Sequence, residues 1–91
     1  MAMIASWVRV DGAKVLEGLQ EAAEKLETAD GELVLDFASV CRIDPNALRA
    51  MESFVSAADG KSVKVVLRSV NVDVYKVLKL VKLARRFSFV S

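Results

Sequence analysis

The sequence contains no histidine, one cysteine (Cys41), one proline (Pro45) and only four glycines in 91 residues. The lack of histidine removes the commonest general base and the usual zinc ligand, which excludes a catalytic triad, a zinc site and a histidine phosphorelay in their usual forms. A single cysteine cannot form an internal disulfide. A chain without disulfides is typical of proteins in the reducing cytosol. The glycines are too widely spaced for a phosphate-binding loop. We therefore predict a non-enzymatic, cytoplasmic protein with no cofactor and no metal.

Long apolar runs are also missing, although apolar residues make up 54% of the chain. No stretch approaches the roughly 18 uninterrupted apolar residues of a membrane-spanning helix. The first ten residues have neither a basic leader nor a cleavage signature. We expect membrane contact only through a partner, and a single domain over residues 1–91.

Charge is distributed unevenly, although the formal net charge is only +1. Residues 1–60 carry five basic and eleven acidic side chains, a balance of −6, whereas residues 61–91 carry eight basic and one acidic, a balance of +7. Such asymmetry bears on partner choice and on self-association, and it permits a homodimer.

Strand-like and helix-like patterns alternate along the chain. Short runs of apolar or alternating residues predict four strands, at 4–11, 32–38, 63–69 and 87–90. Apolar residues at helical spacing predict three helices between them. The order β-α-β-α-β-α-β with short loops predicts a small α/β domain with a mostly parallel sheet of about four strands.

The helix boundaries carry specific signals. Asp44 is a natural N-cap for the second helix, and Pro45 suits its first position. Asp59-Gly60 marks the end of that helix. Either Asn71 or Asp73 can cap the third helix, whose apolar stripe is Val74, Val77, Leu78, Val81 and Ala84.

The stretch from Leu33 to Ala50, LVLDFASVCRIDPNALRA, resembles the central signature of STAS domains of the anti-sigma-factor-antagonist type. In that family an apolar strand ending in aspartate is followed by a loop, and an apolar-Asp-Ser-[Ser/Thr]-Gly-Leu motif then opens a helix. The positions that match are Asp36, Val40, Ile43, Asp44 and Leu48. The resemblance covers residues 13–90 and implies a STAS-like fold and a protein-interaction function.

The chain departs from the family motif where the family carries its phosphorylatable serine. Pro45 stands at that serine, Asn46 follows it, and Ala47 replaces the family's glycine. A phosphoserine adds about −1.5 to −2 charges, which would repel a docked partner. We therefore expect that partners bind constitutively, with no serine switch.

The resemblance implies a partner surface at the loop and helix start that follow the second strand. The expected partner-binding residues are Ser39, Asp44, Pro45, Asn46, Ala47, Arg49, Glu52 and Ser53, with Ser56 further along the helix. The expected partner is an anti-sigma factor of the kinase type or a stressosome-like scaffold. The alternative is the ATPase subunit of an ABC-type lipid transporter, which small STAS subunits bind. An enzymatic role is the third and least favoured interpretation.

Three other features have a structural and a functional interpretation. Asp36 lies at the carboxyl end of a predicted strand and Asp44 at the start of a helix, the edge where ligands of parallel sheets bind, but helix capping is the favoured role of Asp44. Cys41 is expected to be a small buried filler. Five cations, Lys76, Lys79, Lys82, Arg85 and Arg86, predict a basic stripe on the third helix.

The favoured interpretation of the basic stripe is a solvated helix face. Docking to an acidic partner, or to the acidic first helix of a second copy, comes next, and an anionic membrane surface is a further alternative. Nucleic acid is not expected, because stacking aromatic residues and base-reading side chains are missing.

Overall fold

The structure is a computed structural model that describes residues 6–29 and 31–90. Its elements follow the predicted order. They are β1 (Ser6–Arg9), α1 (Val15–Lys25), β2 (Glu32–Asp36), α2 (Pro45–Gly60), β3 (Lys64–Arg68), α3 (Val72–Leu80), a 3₁₀ turn (Ala84–Arg86) and β4 (Ser88–Val90). The first two residues of the strand predicted at 4–11 lie outside the described residues.

The four strands form one parallel sheet in the order β1-β2-β3-β4. Because the order in space is the order in the chain, right-handed crossovers place all three helices on the same face. Val8, Leu35, Leu67 and Phe89 form one row across that face. The core lies between sheet and helices, and its largest fully buried side chains include Phe37, Leu33, Leu35, Met51, Leu67 and Leu78. The predicted α/β fold is confirmed.

The opposite face of the sheet carries the alternate residues of each strand. Trp7, Val34, Val66 and Ser88 form one row. The guanidinium of Arg68 lies 5.0 Å from the ring centroid of Trp7, a cation–π contact. Trp7 is 44% exposed, as expected of a large side chain on an edge strand.

Helix α3 is shorter than its apolar stripe predicts. It ends at Leu80, and Lys82 takes a left-handed conformation at φ 65°. The amide of Leu83 donates to the carbonyl oxygen of Leu78 at 2.8 Å, and that of Lys82 to Lys79 at 3.1 Å, the two bonds of a Schellman motif. The helix stops because both Leu78 and Leu83 are then buried.

The prediction that the apolar stripe continues through Val81 to Ala84 is therefore wrong. Val81 is exposed, and Ala84 lies in the 3₁₀ turn. Helix α2 ends as predicted at Gly60, but the left-handed residue beyond it is Ser62, at φ 56°. Within the described part of the chain, no helix combines the length and apolar character needed to cross a bilayer.

Candidate functional site

The loops that precede the three helices meet at one edge of the sheet, the carboxyl edge. In a parallel sheet every strand ends at this edge and every following helix begins there, which makes it the usual place for binding. Here the β1–α1 loop, the β2–α2 loop (residues 37–44) and the β3–α3 loop are joined by side-chain hydrogen bonds. The sequence predicted the β2–α2 loop from Ser39 onward, with the start of α2, as a partner surface, and in the structure the other two loops lie on either side of that loop.

Ser39 connects the β2–α2 loop to the β1–α1 loop. Its hydroxyl donates to the carbonyl oxygen of Val10 at 3.1 Å and accepts from the amide of Gly12 at 3.2 Å. The two backbones approach so closely that a Cβ atom on Gly12 would lie 2.0 Å from the carbonyl oxygen of Ser39. Position 12 therefore requires glycine, because there is no space for a side chain. Position 39 requires a hydroxyl group, because that group makes both hydrogen bonds between the loops.

Asn71 connects the same loop to α3 on its other side. Its side-chain oxygen accepts from the amide of Val74 at 2.8 Å, which makes Asn71 the N-cap of α3 and decides between the two predicted caps. Its side-chain nitrogen donates to the carbonyl oxygens of Val40 at 3.2 Å and of Cys41 at 3.4 Å. The β2–α2 loop is thus tied to both neighbouring loops.

The start of α2 is as the sequence predicts. Asp44 is the N-cap, its carboxylate accepts from the amide of Ala47 at 2.7 Å, and Pro45 occupies the first helical position. Proline gives up an amide that has no partner inside the helix, and its fixed φ suits the position. Asp44, Pro45 and Asn46 are all exposed, so the helix start forms part of the molecular surface.

Two open clefts flank the start of α2, and Arg42 and Asp44 line both of them. The cleft towards α3 has a volume of about 380 Å³ and also contains Asp73. The cleft towards α1 has a volume of about 570 Å³ and is bordered by the β1–α1 loop. The start of α2 therefore stands between two grooves, and charges of both signs, from Arg42 and Asp44, lie beside it.

The structure places most of the predicted partner-binding residues on this surface. Those that are exposed are Ser39, Asp44, Pro45, Asn46, Arg49, Glu52 and Ser53. Arg49, Glu52, Ser53 and Ser56 follow at helical spacing, so they continue the surface along one face of α2. Ala47 differs, because the residue is only 3% exposed and lines the cleft towards α1. It is therefore not one of the exposed residues of the predicted surface.

Asp36 lies apart from Asp44. Its carboxylate accepts from the amide of Ala38 at 2.9 Å, a local turn that ends β2. In the sheet it stands between Arg9 and Arg68 on the face without helices. It lines a separate cleft with Arg9, Asp11, Ala38 and Ser39, so the two aspartates do not form a paired site.

The structure corrects two further predictions, one about Cys41 and one about the basic stripe. Cys41 is exposed, because the loop turns Val40 into the core and directs the carbonyl group of Cys41 to Asn71. The predicted basic stripe is interrupted where α3 ends. Arg86 leaves it altogether and binds the carboxylate of Asp59 at 2.6 Å.

The predicted surface, the loop and helix start from Ser39 to Arg49, includes Arg42, but sequence patterns missed the loop contacts of Asn71 and the position of Asp73. A usable signal existed for Asp73, since it flanks a predicted helix start and every helix start of a parallel sheet reaches the same edge. In the described part of the chain, no three His, Cys, Asp or Glu side chains lie together as metal ligands. The surface offers hydrogen-bonding groups, charges of both signs and two grooves.

A family model for the STAS domain matches residues 10–91, which include all three helices and the helix start that carries the motif. The resemblance of the chain to STAS domains is thereby confirmed. No curated protein and no solved structure matches the chain significantly. STAS domains are in general non-enzymatic modules that act by binding other proteins. The chain belongs to the STAS domain family.

Proposed function

We propose that this chain is a protein-binding regulatory module of the anti-sigma-factor-antagonist or stressosome type, and that it binds its partner without a serine switch. The partner docks on the α2 face, which consists of the β2–α2 loop from Ser39 to Asp44 and the exposed residues Pro45, Asn46, Arg49, Glu52 and Ser53. The observation that carries the proposal is the exposed start of α2, standing between two grooves at the carboxyl edge.

The α2 face has the character of a binding surface that is already ordered. Ser39 and Asn71 hold the preceding loop from two sides, and Asp44 caps the helix. A partner that docks on ordered backbone loses less conformational entropy than one that must first order a loop. The mixed charges of Arg42, Asp44 and Arg49 favour a partner with a complementary pattern over a uniformly charged ligand.

The identity of residue 45 supports constitutive binding. Pro45 stands where the family motif has its serine, and a proline side chain has no hydroxyl group to phosphorylate. A phosphate there would place about −1.5 to −2 charges at the helix N-terminus, in the middle of the α2 face. Without a phosphate, the α2 face keeps one charge state. Regulation then acts through the partner or through the amount of partner present.

The same face serves the alternative partner, the ATPase subunit of an ABC-type lipid transporter. Both hypotheses require binding through the start of α2, so the identity of the bound protein decides between them. Both also place the chain at a membrane only through its partner.

The test is affinity capture of the tagged chain from its native host, followed by reconstitution with the purified captured protein. Pro45→Glu places a negative charge at the position of the family's phosphate, and Arg49→Glu reverses a charge on the same face. Thr28→Glu introduces an equal charge at an exposed site at the opposite edge of the sheet and serves as the matched control.

We expect one stoichiometric partner that binds the wild-type chain and the Thr28→Glu variant with equal affinity. Pro45→Glu and Arg49→Glu each lower that affinity by at least about tenfold, or 1.4 kcal/mol. An anti-sigma factor or scaffold protein as partner supports the regulatory role, and a transporter ATPase supports the alternative. A partner whose affinity is unchanged in both α2 variants shows that the α2 face is not the docking site.

A further inference from the structure

The uneven charge of the sequence becomes two separate surfaces in the fold. The acidic surface is the exposed side of α1, formed by Leu16, Glu17, Gln20, Glu21 and Glu24. Helix α1 packs against β1 and β2, at one end of the strand order. The basic surface lies at the other end, beside β4.

The basic surface is a cleft of about 320 Å³, lined by Tyr75, Lys79, Lys82, Ala84, Arg85 and Phe89. Its floor is aromatic, since the rings of Tyr75 and Phe89 meet edge to face with centroids 5.1 Å apart. The Schellman turn at the end of α3 reverses the chain, so that cations from α3, the turn and the 3₁₀ segment converge on one cleft.

The cations of this cleft have no acidic neighbour among its lining residues. The two salt bridges within the described residues are Lys61–Glu27 and Arg86–Asp59, and neither includes a lining residue of the cleft. Leu80 and Val81, which lie between Lys79 and Lys82 in the chain, are 82% and 45% exposed. The surface is therefore both cationic and apolar, the combination that fits an acidic helix face with an exposed apolar side chain.

Helix α1 has the matching properties. Glu17, Glu21 and Glu24 follow at spacings of four and three, so they share one side of the helix. Leu16 is 45% exposed beside them. Like charges at this spacing repel each other within a helix, and cations from another molecule relieve that repulsion.

We propose that copies of this chain associate head to tail, with the acidic surface of α1 in one copy docked on the basic surface beside β4 in the next. A second copy of the chain thus occupies the cleft. Its acidic helix complements the charge of the cleft, and its exposed Leu16 contacts the aromatic floor. Because the two surfaces lie at opposite ends of the strand order, the contact is heterologous and each added copy leaves a free surface at both ends.

The assembly is weak and depends on salt. Helix α1 has 11 residues and is about 16 Å long, so one helix in one cleft makes a contact at the small end of specific interfaces. Exposed charges interact over about 30 Å at 10 mM salt but only over about 3 Å at 1 M. No residue of the α2 face belongs to either surface, so a chain of copies displays it repeatedly, which raises avidity for a multivalent partner. Leu16 and Glu17 of the acidic surface also line the cleft between α1 and the start of α2, so the head-to-tail contact narrows access to that cleft.

The test is sedimentation velocity of the purified chain over a range of concentrations, at about 10 mM and about 1 M salt, where the Debye lengths differ tenfold. Two charge-reversed variants are compared, Lys79→Glu with Arg85→Glu, and Glu17→Lys with Glu21→Lys. Arg9→Glu with Lys64→Glu, which also reverses two charges at exposed residues but lies outside both surfaces and outside the α2 face, is the matched control.

We expect the wild-type chain and the control variant with Arg9→Glu and Lys64→Glu to rise above the mass of one chain at low salt, and to return to it at high salt. Each charge-reversed variant alone stays monomeric. An equimolar mixture of the two associates again, because the intact basic surface of one variant meets the intact acidic surface of the other. Recovery in the mixture also shows that both variants are folded.

A wild-type chain that stays monomeric at low salt overturns the proposal, as does a mixture that does not recover. Vesicles containing phosphatidylserine provide the second arm. If the monomeric chain binds them and Lys79→Glu with Arg85→Glu abolishes that binding, the occupant is an anionic membrane and not a second copy. Neither arm depends on the α2 face, so this result and that of the partner experiment are separable.

Discussion

Asn71 joins three parts of the fold through one side chain, and its replacement has a calculable cost. Its oxygen caps α3, and the loss of such a cap costs about 1 kcal/mol. Its nitrogen donates to the carbonyl oxygens of Val40 and Cys41, the first of which is partly buried. Together these two bonds are worth about 1 kcal/mol, because the longer one is weak and exposed.

Asn71→Ala therefore lowers the free energy of unfolding by about 2 kcal/mol. For a chain of this size, that corresponds to a fall in Tm of roughly 8–16 °C. Asn71→Ser keeps a good capping residue but is too short to reach the β2–α2 loop, so it loses about 1 kcal/mol. Asp44→Ala removes a cap and nothing else, and also loses about 1 kcal/mol.

Urea unfolding followed by circular dichroism measures all three variants, with unchanged m-values as the check that only stability has changed. If Asn71→Ala costs no more than Asp44→Ala, the contacts to the β2–α2 loop contribute nothing and this account of the site is refuted. If Asn71→Ser is as stable as the wild-type chain, the same conclusion follows.

Two more predictions concern the carboxyl edge. Gly12→Ala forces a Cβ atom against the carbonyl oxygen of Ser39 and costs about 1–3 kcal/mol, whereas Gly60→Ala, with nothing within 4 Å, is neutral or stabilises by up to about 1 kcal/mol. Equal melting temperatures for the two variants contradict the close approach of the loops. Cys41 reacts with a thiol reagent in the folded chain, at a rate that does not depend on urea below the unfolding transition, because its side chain is exposed. A rate that rises only as the chain unfolds shows that Cys41 is buried.

Local signals predicted the secondary structure well. Helix α2 is the clearest case, since Asp44 and Pro45 act within one turn and need no contact from elsewhere. The apolar strands were found because buried parallel strands read as short apolar runs. Their parallel pairing follows from the alternation with helices, whereas their order in the sheet is given only by the structure.

The local signals failed where a distant contact decided. Helix α3 ends at Leu80 because Leu83 turns back into the core, and Lys82 adopts the left-handed conformation that a glycine usually takes. The apolar pattern alone continues past this point. Cys41 was predicted to be buried from its residue type, but its exposure follows from the course of a loop held by Asn71.

The sequence by itself determined the α/β class, the start of α2, the STAS motif with Pro45 at the serine position, and the division into an acidic and a basic part. These properties depend on residues within a few positions of each other or on simple composition. The tertiary structure alone decided that Gly12 meets Ser39, 27 positions away, and that Asn71 holds Val40, 31 positions away. It also placed the two charged surfaces at opposite ends of the sheet, because the position of a side chain in space depends on strand order and on loop contacts that no local pattern encodes.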